Sequence, residues 1–152
     1  LLIAALQIIM YMSRIKYHLV MLSAKTLGIG FYDQELLEKI AEETGFIKNL
    51  AEKESCIIVG RCSNYILRDS SDCLHIFIYS DIEDREKRIL ERYGDSEKPI
   101  QKRITDKDTR RKIYYSHYID RPWGIPQNYD LCLNSGALGE ELYVNSIINV
   151  FN

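Results

Sequence analysis

Cys56-Ile57-Ile58-Val59-Gly60-Arg61-Cys62 is the stretch on which the fold of this 152-residue chain turns. Its apolar run is continuous rather than alternating, which is how a strand covered on both faces reads. Glycine then lets the backbone turn sharply. The arginine that follows projects over the carboxyl edge of a sheet, where a guanidinium can hold a phosphate through two parallel hydrogen bonds. The plainer alternative is a surface arginine after an ordinary turn.

Working outward, residues 8–12, 74–79 and 129–133 are apolar runs of the same kind. Helical patterns lie between them. Asp33 is placed to cap a helix with Leu36, Leu37, Ile40 and Ala41 along one side, and Gly45 to end it. Ser80-Asp81-Ile82-Glu83 has the spacing of a capping box, opening a helix that runs to Tyr93 and stops at Gly94. A second charged helix is predicted from Glu97 to Tyr118, with Pro99 in its first turn, and a last one from Glu140 to Phe151. Strands alternating with helices predict an α/β three-layer sandwich around a mostly parallel sheet of about four to five strands, with ligands beyond the strands' carboxyl ends. The chain reads as a single domain over residues 1–152, with a short helical lid at roughly 95–128.

Composition narrows the function classes. Twenty Lys and Arg against twenty-two Asp and Glu leave a net charge of -2. No bulk field then draws the chain to nucleic acid or to an anionic membrane. Residues 1–12 are almost wholly apolar, but twelve residues are too few to cross a bilayer, and Arg14, Lys16 and His18 interrupt any longer span. They read as a buried strand and its lead-in rather than as a signal peptide. Cys56, Cys62, Cys73 and Cys132 have neither disulfide nor zinc spacing, so a reducing cytoplasm is the simpler location.

The cations are patterned. Arg85, Arg88 and Arg92 share one helix face; Arg88 and Arg92 read as an ordinary solvated, ion-paired surface, and Arg85, nearest the strand end, as the one facing a ligand. Arg103, Lys107, Arg110 and Arg111 form a basic ridge beside Asp106 and Asp108. Spacing leaves three uses open: a lid over polyphosphate, a phosphate-backbone contact with Tyr114, Tyr115 and Tyr118 as stacking surfaces, or a plain exposed helix. A phosphate-cradling loop should follow the first strand, yet no glycine occurs before Gly28. The stretch Ser13-Arg14-Ile15-Lys16-Tyr17 offers charge without a nest of backbone amides.

Together these segments resemble the cytidylate kinase-like family of nucleoside monophosphate kinases, which have the P-loop fold. The resemblance is carried by residues 27–37, by residues 50–67 around Gly60-Arg61-Cys62, by Phe77-Ile78-Tyr79 through Asp84-Arg85, and by Asp108 to Tyr115 followed by Trp123-Gly124 and Asn128-Tyr129-Asp130-Leu131. It implies ATP-dependent phosphoryl transfer to a nucleoside monophosphate, with Mg2+ as the accompanying ion. Arg61, with Gly60, would hold the acceptor's phosphate, and Asp33 would sit near the acceptor and the metal. Asp108 and Arg111 match a D-x-x-R lid pattern in which the arginine neutralises the phosphoryl group in transfer. Arg85 matches the arginine opening the helix before the lid, and Asn134-Ser135 falls at the adenine pocket. Arg14, Lys16 and Arg103 are the remaining cations for the donor phosphates. The family's glycine-rich turn and part of its acceptor-binding insertion are missing here. The alternative is therefore a degenerate, non-catalytic relic that binds a nucleotide or a protein.

Overall fold

The strand read first, β3 (Cys56–Val59), is buried at all four positions and paired on both edges. The computed structural model describes residues 5–10, 17–32, 44–60 and 62–151. β2 (Gly30–Tyr32) lies on one side of β3. On the other side come β1 (Ala5–Met10), β4 (Cys73–Tyr79) and β5 (Leu131–Asn134). The order is β2-β3-β1-β4-β5, and every pair is parallel. Ala5 pairs with Cys56 on one side and Cys73 on the other, the first residues of both neighbours. The central strand thus begins earlier than the apolar run at 8–12 suggests, because it must meet both partners from their starts; residues 11 and 12 lie outside the described residues.

Parallel neighbours need crossovers, and helices supply them. These are α1 (Tyr17–Leu27), α2 (Thr44–Lys53), the short α3 (Ser63–Ile66), α4 (Ile82–Tyr93), α5 (Ile100–Tyr118) and α6 (Glu140–Phe151). Alternate strand residues point to opposite faces. Ile57, Val59, Ile76, Ile78 and Leu133 meet Leu19, Val20 and Ala24 of α1 with Tyr143 and Ile147 of α6. Cys56 and Ile58 face the other way, onto Ile47, Leu50 and Ala51 of α2 and Leu67 beyond α3. Beside them, Phe77 stacks on Tyr129 at 4.7 Å and meets Trp123 edge-on at 6.3 Å. The loop ahead of β5 covers that part of the sheet. This is the three-layer α/β sandwich expected.

Four local expectations change. β2 was not among the four apolar runs: it is a three-residue edge strand, and a Cβ at Gly30 would lie 2.8 Å from the Tyr32 ring. Most of the helix expected after Asp33 falls outside the described residues. Gly45, expected to end it, lies instead in the first turn of α2, where a helical amide has no partner to lose and a Cβ would meet nothing within 4 Å. The capping box does not form. Asp81 precedes α4 without a side-chain cap, and Ser80 is buried and hydrogen-bonded to Arg88. Lastly, α5 starts at Ile100 with Pro99 as its cap rather than at Glu97. Gly94 does stop α4, at φ 67°, its N–H donating to the Leu90 carbonyl.

Burial predicts what breaks the fold. Ile57 is fully buried, so Ile57→Ala costs about 2–5 kcal/mol in urea unfolding. Ile113, 63% exposed, shifts stability by only about 0.5 kcal/mol on the same change. Burial also pushes the Cys56 thiol from 9.0 up to about 12, and raises the Tyr129 and Tyr143 phenols. The unfolded chain releases the thiol proton near pH 9 while the folded chain keeps it, so stability present below that pH falls as pH climbs toward 12. Urea midpoints near pH 8 and pH 11 test this; equal midpoints would overturn it.

Candidate functional site

Parallel pairing brings the carboxyl ends of β3, β4 and β5 to one edge, with Tyr79 opposite Asn134. At the end of β3 the chain passes through Gly60 at φ 87° and Cys62 at φ 53°. Cys62 is a side-chain-bearing residue in left-handed conformation, a strained geometry that clusters at functional turns. Ser63 holds the turn shut, donating its N–H at 3.3 Å and its hydroxyl at 2.6 Å to the Gly60 carbonyl. Arg61 lies between these residues but outside the described ones, as do Asp33, Arg14 and Lys16.

The next strand end carries the strongest electrostatics. Arg85, in the first turns of α4, is 6% exposed, and Asp108 on α5 is 7% exposed. Nη2 of Arg85 lies 2.8 Å from both Asp108 carboxylate oxygens. Arg111, one turn on, donates Nη1 to Oδ1 at 3.2 Å. Two guanidiniums thus share one carboxylate. Arg111 keeps about a third of its side chain in solvent.

Arg88 corrects the sequence reading. It is not on a solvated face but is 8% exposed. Its Nε donates to the Asp84 carbonyl at 3.0 Å, Nη1 to the Ser135 hydroxyl at 3.4 Å and Nη2 to the Ser80 hydroxyl. Ser135 in turn donates to the Tyr79 carbonyl at 3.0 Å. Burial lowers the Arg88 pKa, against the pull of Asp84. Helical spacing groups Arg85, Arg88 and Arg92 but does not say which of them the sheet draws inward. Arg92 alone stays exposed, near the Tyr93 ring.

The remaining site residues divide. Asn134 turns its Oδ1 to the N–H groups of Gly136 and Ala137, and Ser135 is fully buried with its hydroxyl engaged as above. A Cβ on Gly136 would overlap the Asp84 carboxylate, which would have to move aside. Arg103 donates to the Gly94 carbonyl at 3.1 Å, Lys98 pairs with Asp106, and Lys107 lies over the Tyr93 ring. Much of the basic ridge is therefore spent holding the α4–α5 connection. Of the three tyrosines read as stacking surfaces, Tyr114 and Tyr118 are exposed, but Tyr115 is buried and accepts a hydrogen bond from Asn64 at 3.0 Å. Nothing in the sequence pairs Asn64 with Tyr115, which are far apart in the chain. Among the described residues no group of three or more His, Cys, Asp or Glu is arranged to hold a metal ion, and no helix is long and apolar enough to cross a membrane.

Residues 44–137 match the sequence profile of the cytidylate kinase-like family. The chain belongs to that family. No curated protein matches it in sequence. Among solved structures, this cytidylate kinase-like chain is similar to an uncharacterized protein from Eubacterium ventriosum ATCC 27560, with a TM-score of 0.86, 26% identity and 97% of each chain covered. It is also similar to a gluconokinase from Sinorhizobium meliloti 1021, at a TM-score of 0.64 and 13% identity, over 99% of this chain and 92% of that one. A shikimate kinase from Bacteroides thetaiotaomicron follows at 0.59 and 13%, over 97% and 95%. At that identity the two kinases show the fold alone, the α/β fold of P-loop kinases.

Removing the shared carboxylate tests the site's construction. Asp108→Ala removes a carboxylate shared by two arginines, one of them buried, and is expected to cost about 3–5 kcal/mol of stability. Asp106→Ala breaks a surface pair and leaves the urea midpoint unchanged. Equal effects from the two changes would refute a buried bridging role for Asp108.

Proposed function

We propose that this cytidylate kinase-like chain transfers a phosphoryl group from magnesium-ATP to a nucleoside monophosphate. The observation that carries the reading is the Arg85–Asp108–Arg111 cluster at the carboxyl edge, two guanidiniums on one carboxylate with Arg111 a third in solvent. Phosphoryl transfer asks a protein for positioning and charge neutralisation rather than covalent chemistry, which suits a site made of arginines. In this reading Arg111 neutralises the transferring group, Asp108 aims it, and Arg85 secures Asp108. Gly60 and Arg61 take the acceptor phosphate. Asp33 is the carboxylate that the family resemblance assigns to the magnesium ion. Arg14, Lys16 and Arg103 face the donor phosphates, and the turn at Asn134 and Ser135 borders the adenine by its shape, the serine hydroxyl being occupied. The cations present fit phosphate groups; a backbone-amide cradle for a polyphosphate has no glycine to form it.

That last observation favours a second reading, a relic of the family that binds a nucleotide or a protein without catalysis. Residues 11–16, Tyr-Met-Ser-Arg-Ile-Lys, separate β1 from α1 in the sequence and contain no glycine. Losing the cradle forfeits several charge-assisted hydrogen bonds, each worth about 1.5–3 kcal/mol.

Calorimetric titration with magnesium-ATP at moderate salt separates the two. Phosphoryl transfer predicts micromolar binding and a CMP-dependent release of ADP, with Arg111→Ala lowering kcat by about a hundredfold to a thousandfold. A folded protein that gives no heat up to about millimolar magnesium-ATP rules out the transfer and leaves the binding module.

A further inference from the structure

Two segments distant in the chain have to be held at one distance for the site to work. One is the turn at Gly60 and Cys62, to which the phosphoryl-transfer reading gives the acceptor's phosphate; the other is α5, which carries Arg111. We propose that Asn64 is a positioning residue that fixes the first against the second through the Tyr115 hydroxyl. Its catalytic purpose rests on that reading, whereas the contact itself does not.

The turn and α3 form one piece. Ser63 closes on the Gly60 carbonyl with both its N–H and its hydroxyl. Tyr65 and Ile66 donate their N–H groups to the Cys62 carbonyl at 2.9 and 3.1 Å, and Leu67 donates to the Ser63 carbonyl at 2.8 Å. Ser63 is fully buried, and Leu67 packs in the same cluster as Ile58 of β3. Asn64 directly follows Ser63, so a tie on its amide is a tie on the turn.

On α5, Asp108, Arg111 and Tyr115 follow at spacings of three and four, which puts them on one side of the helix. Arg111 is therefore bracketed. Before it, Asp108 is paired with Arg85 of α4. After it, the Tyr115 hydroxyl accepts a hydrogen bond from Asn64 Nδ2 at 3.0 Å, and both residues are buried. One point of fastening would leave the helix free to pivot about Asp108. The buried Ile104 and Ile119 resist separation, but apolar contact is non-directional and sets no angle. A hydrogen bond does set one, because it weakens steeply as its geometry opens.

Stability alone does not call for an amide at this place. The Asn64 Oδ1 is buried without a hydrogen-bond partner among the described residues. A buried amide oxygen in that state costs solvation that an apolar side chain would not. Leucine for Asn64 together with phenylalanine for Tyr115 keeps nearly the same shapes and removes both polar groups, an exchange close to neutral for folding. What the exchange gives up is the direction that the hydrogen bond imposes.

The double variant Asn64→Leu/Tyr115→Phe separates position from stability, and its urea midpoint is expected to stay that of the wild type. In the weakly aligned, 15N-labelled full chain, residual dipolar couplings of the α5 amides from Arg111 to Tyr118 should fit the alignment of the sheet in the wild type and depart from it in the variant. With an active wild type, kcat should fall by about tenfold to a hundredfold, as a misplacement of about 1 Å does, with neither KM changed. Couplings that fit the sheet equally well in the variant, an unchanged kcat, or a raised KM with kcat intact would each overturn the proposal. A wild type without transfer activity sinks the phosphoryl-transfer reading instead, and the couplings then decide the positioning on their own. Tyr115→Phe alone, which deletes one oxygen, is measured in parallel and carries the same expectations if the double variant does not fold.

Discussion

The ion pair between Arg85 and Asp108 is the buried charged contact that ties α5 to α4. The buried residues of that helix are Ile104, Asp108 and Tyr115, at spacings of four and seven, and the middle one is charged. Two apolar side chains are a thin hold for a nineteen-residue helix. A buried ion pair adds little net stability over apolar packing, because both charges must leave water, but it admits few alternative registers. Asp108 accordingly decides where the helix lies on α4 and which turn presents Arg111. The Asn64–Tyr115 hydrogen bond repeats the device two turns later, fastening the same helix to α3.

A second polar bolt closes the sheet's carboxyl edge. Arg88 joins the end of β4 through Ser80 to the end of β5 through Ser135, and Ser135 bonds back to Tyr79. The last acceptor, the Tyr79 carbonyl, belongs to a residue paired with Asn134 across β4 and β5. Asp84 then packs against Gly136 so closely that a side chain there would displace it. The edge where ligands bind in such sheets is therefore rigid on the β4–β5 side. The cations that define it are held by protein groups and do not wait for a ligand to order them.

Family membership and local chemistry pull in different directions. The Arg85–Asp108–Arg111 cluster and the Gly60 turn both follow strand ends, and the strained Cys62 conformation is of the kind that functional turns retain. The sequence between β1 and α1 has the opposite character, six residues without a glycine. Positive charge can attract a polyphosphate from a distance, but only convergent backbone amides enclose it.

The layers, the strand at Cys56–Val59, the stop at Gly94, the final helix and the family were all legible in the sequence, because each rests on local chemistry: continuous apolar runs, a glycine's freedom, a turn followed by an arginine. The D-x-x-R spacing of Asp108 and Arg111 was legible for the same reason, both lying on one helix face. What the sequence left open is what depends on partners distant in the chain. Ser80 has the spacing of a helix cap and is drawn instead to Arg88. Arg88 looks like its neighbour Arg92 until the sheet edge buries one and leaves the other in water. β2 is too short to show a period, and Asn64 meets Tyr115 only because the fold brings α3 against the end of α5. Local sequence determined which elements form and which residue types reach the edge. Tertiary packing decided which polar groups lost their water, and desolvation, which no spacing encodes, gave each of them its partner.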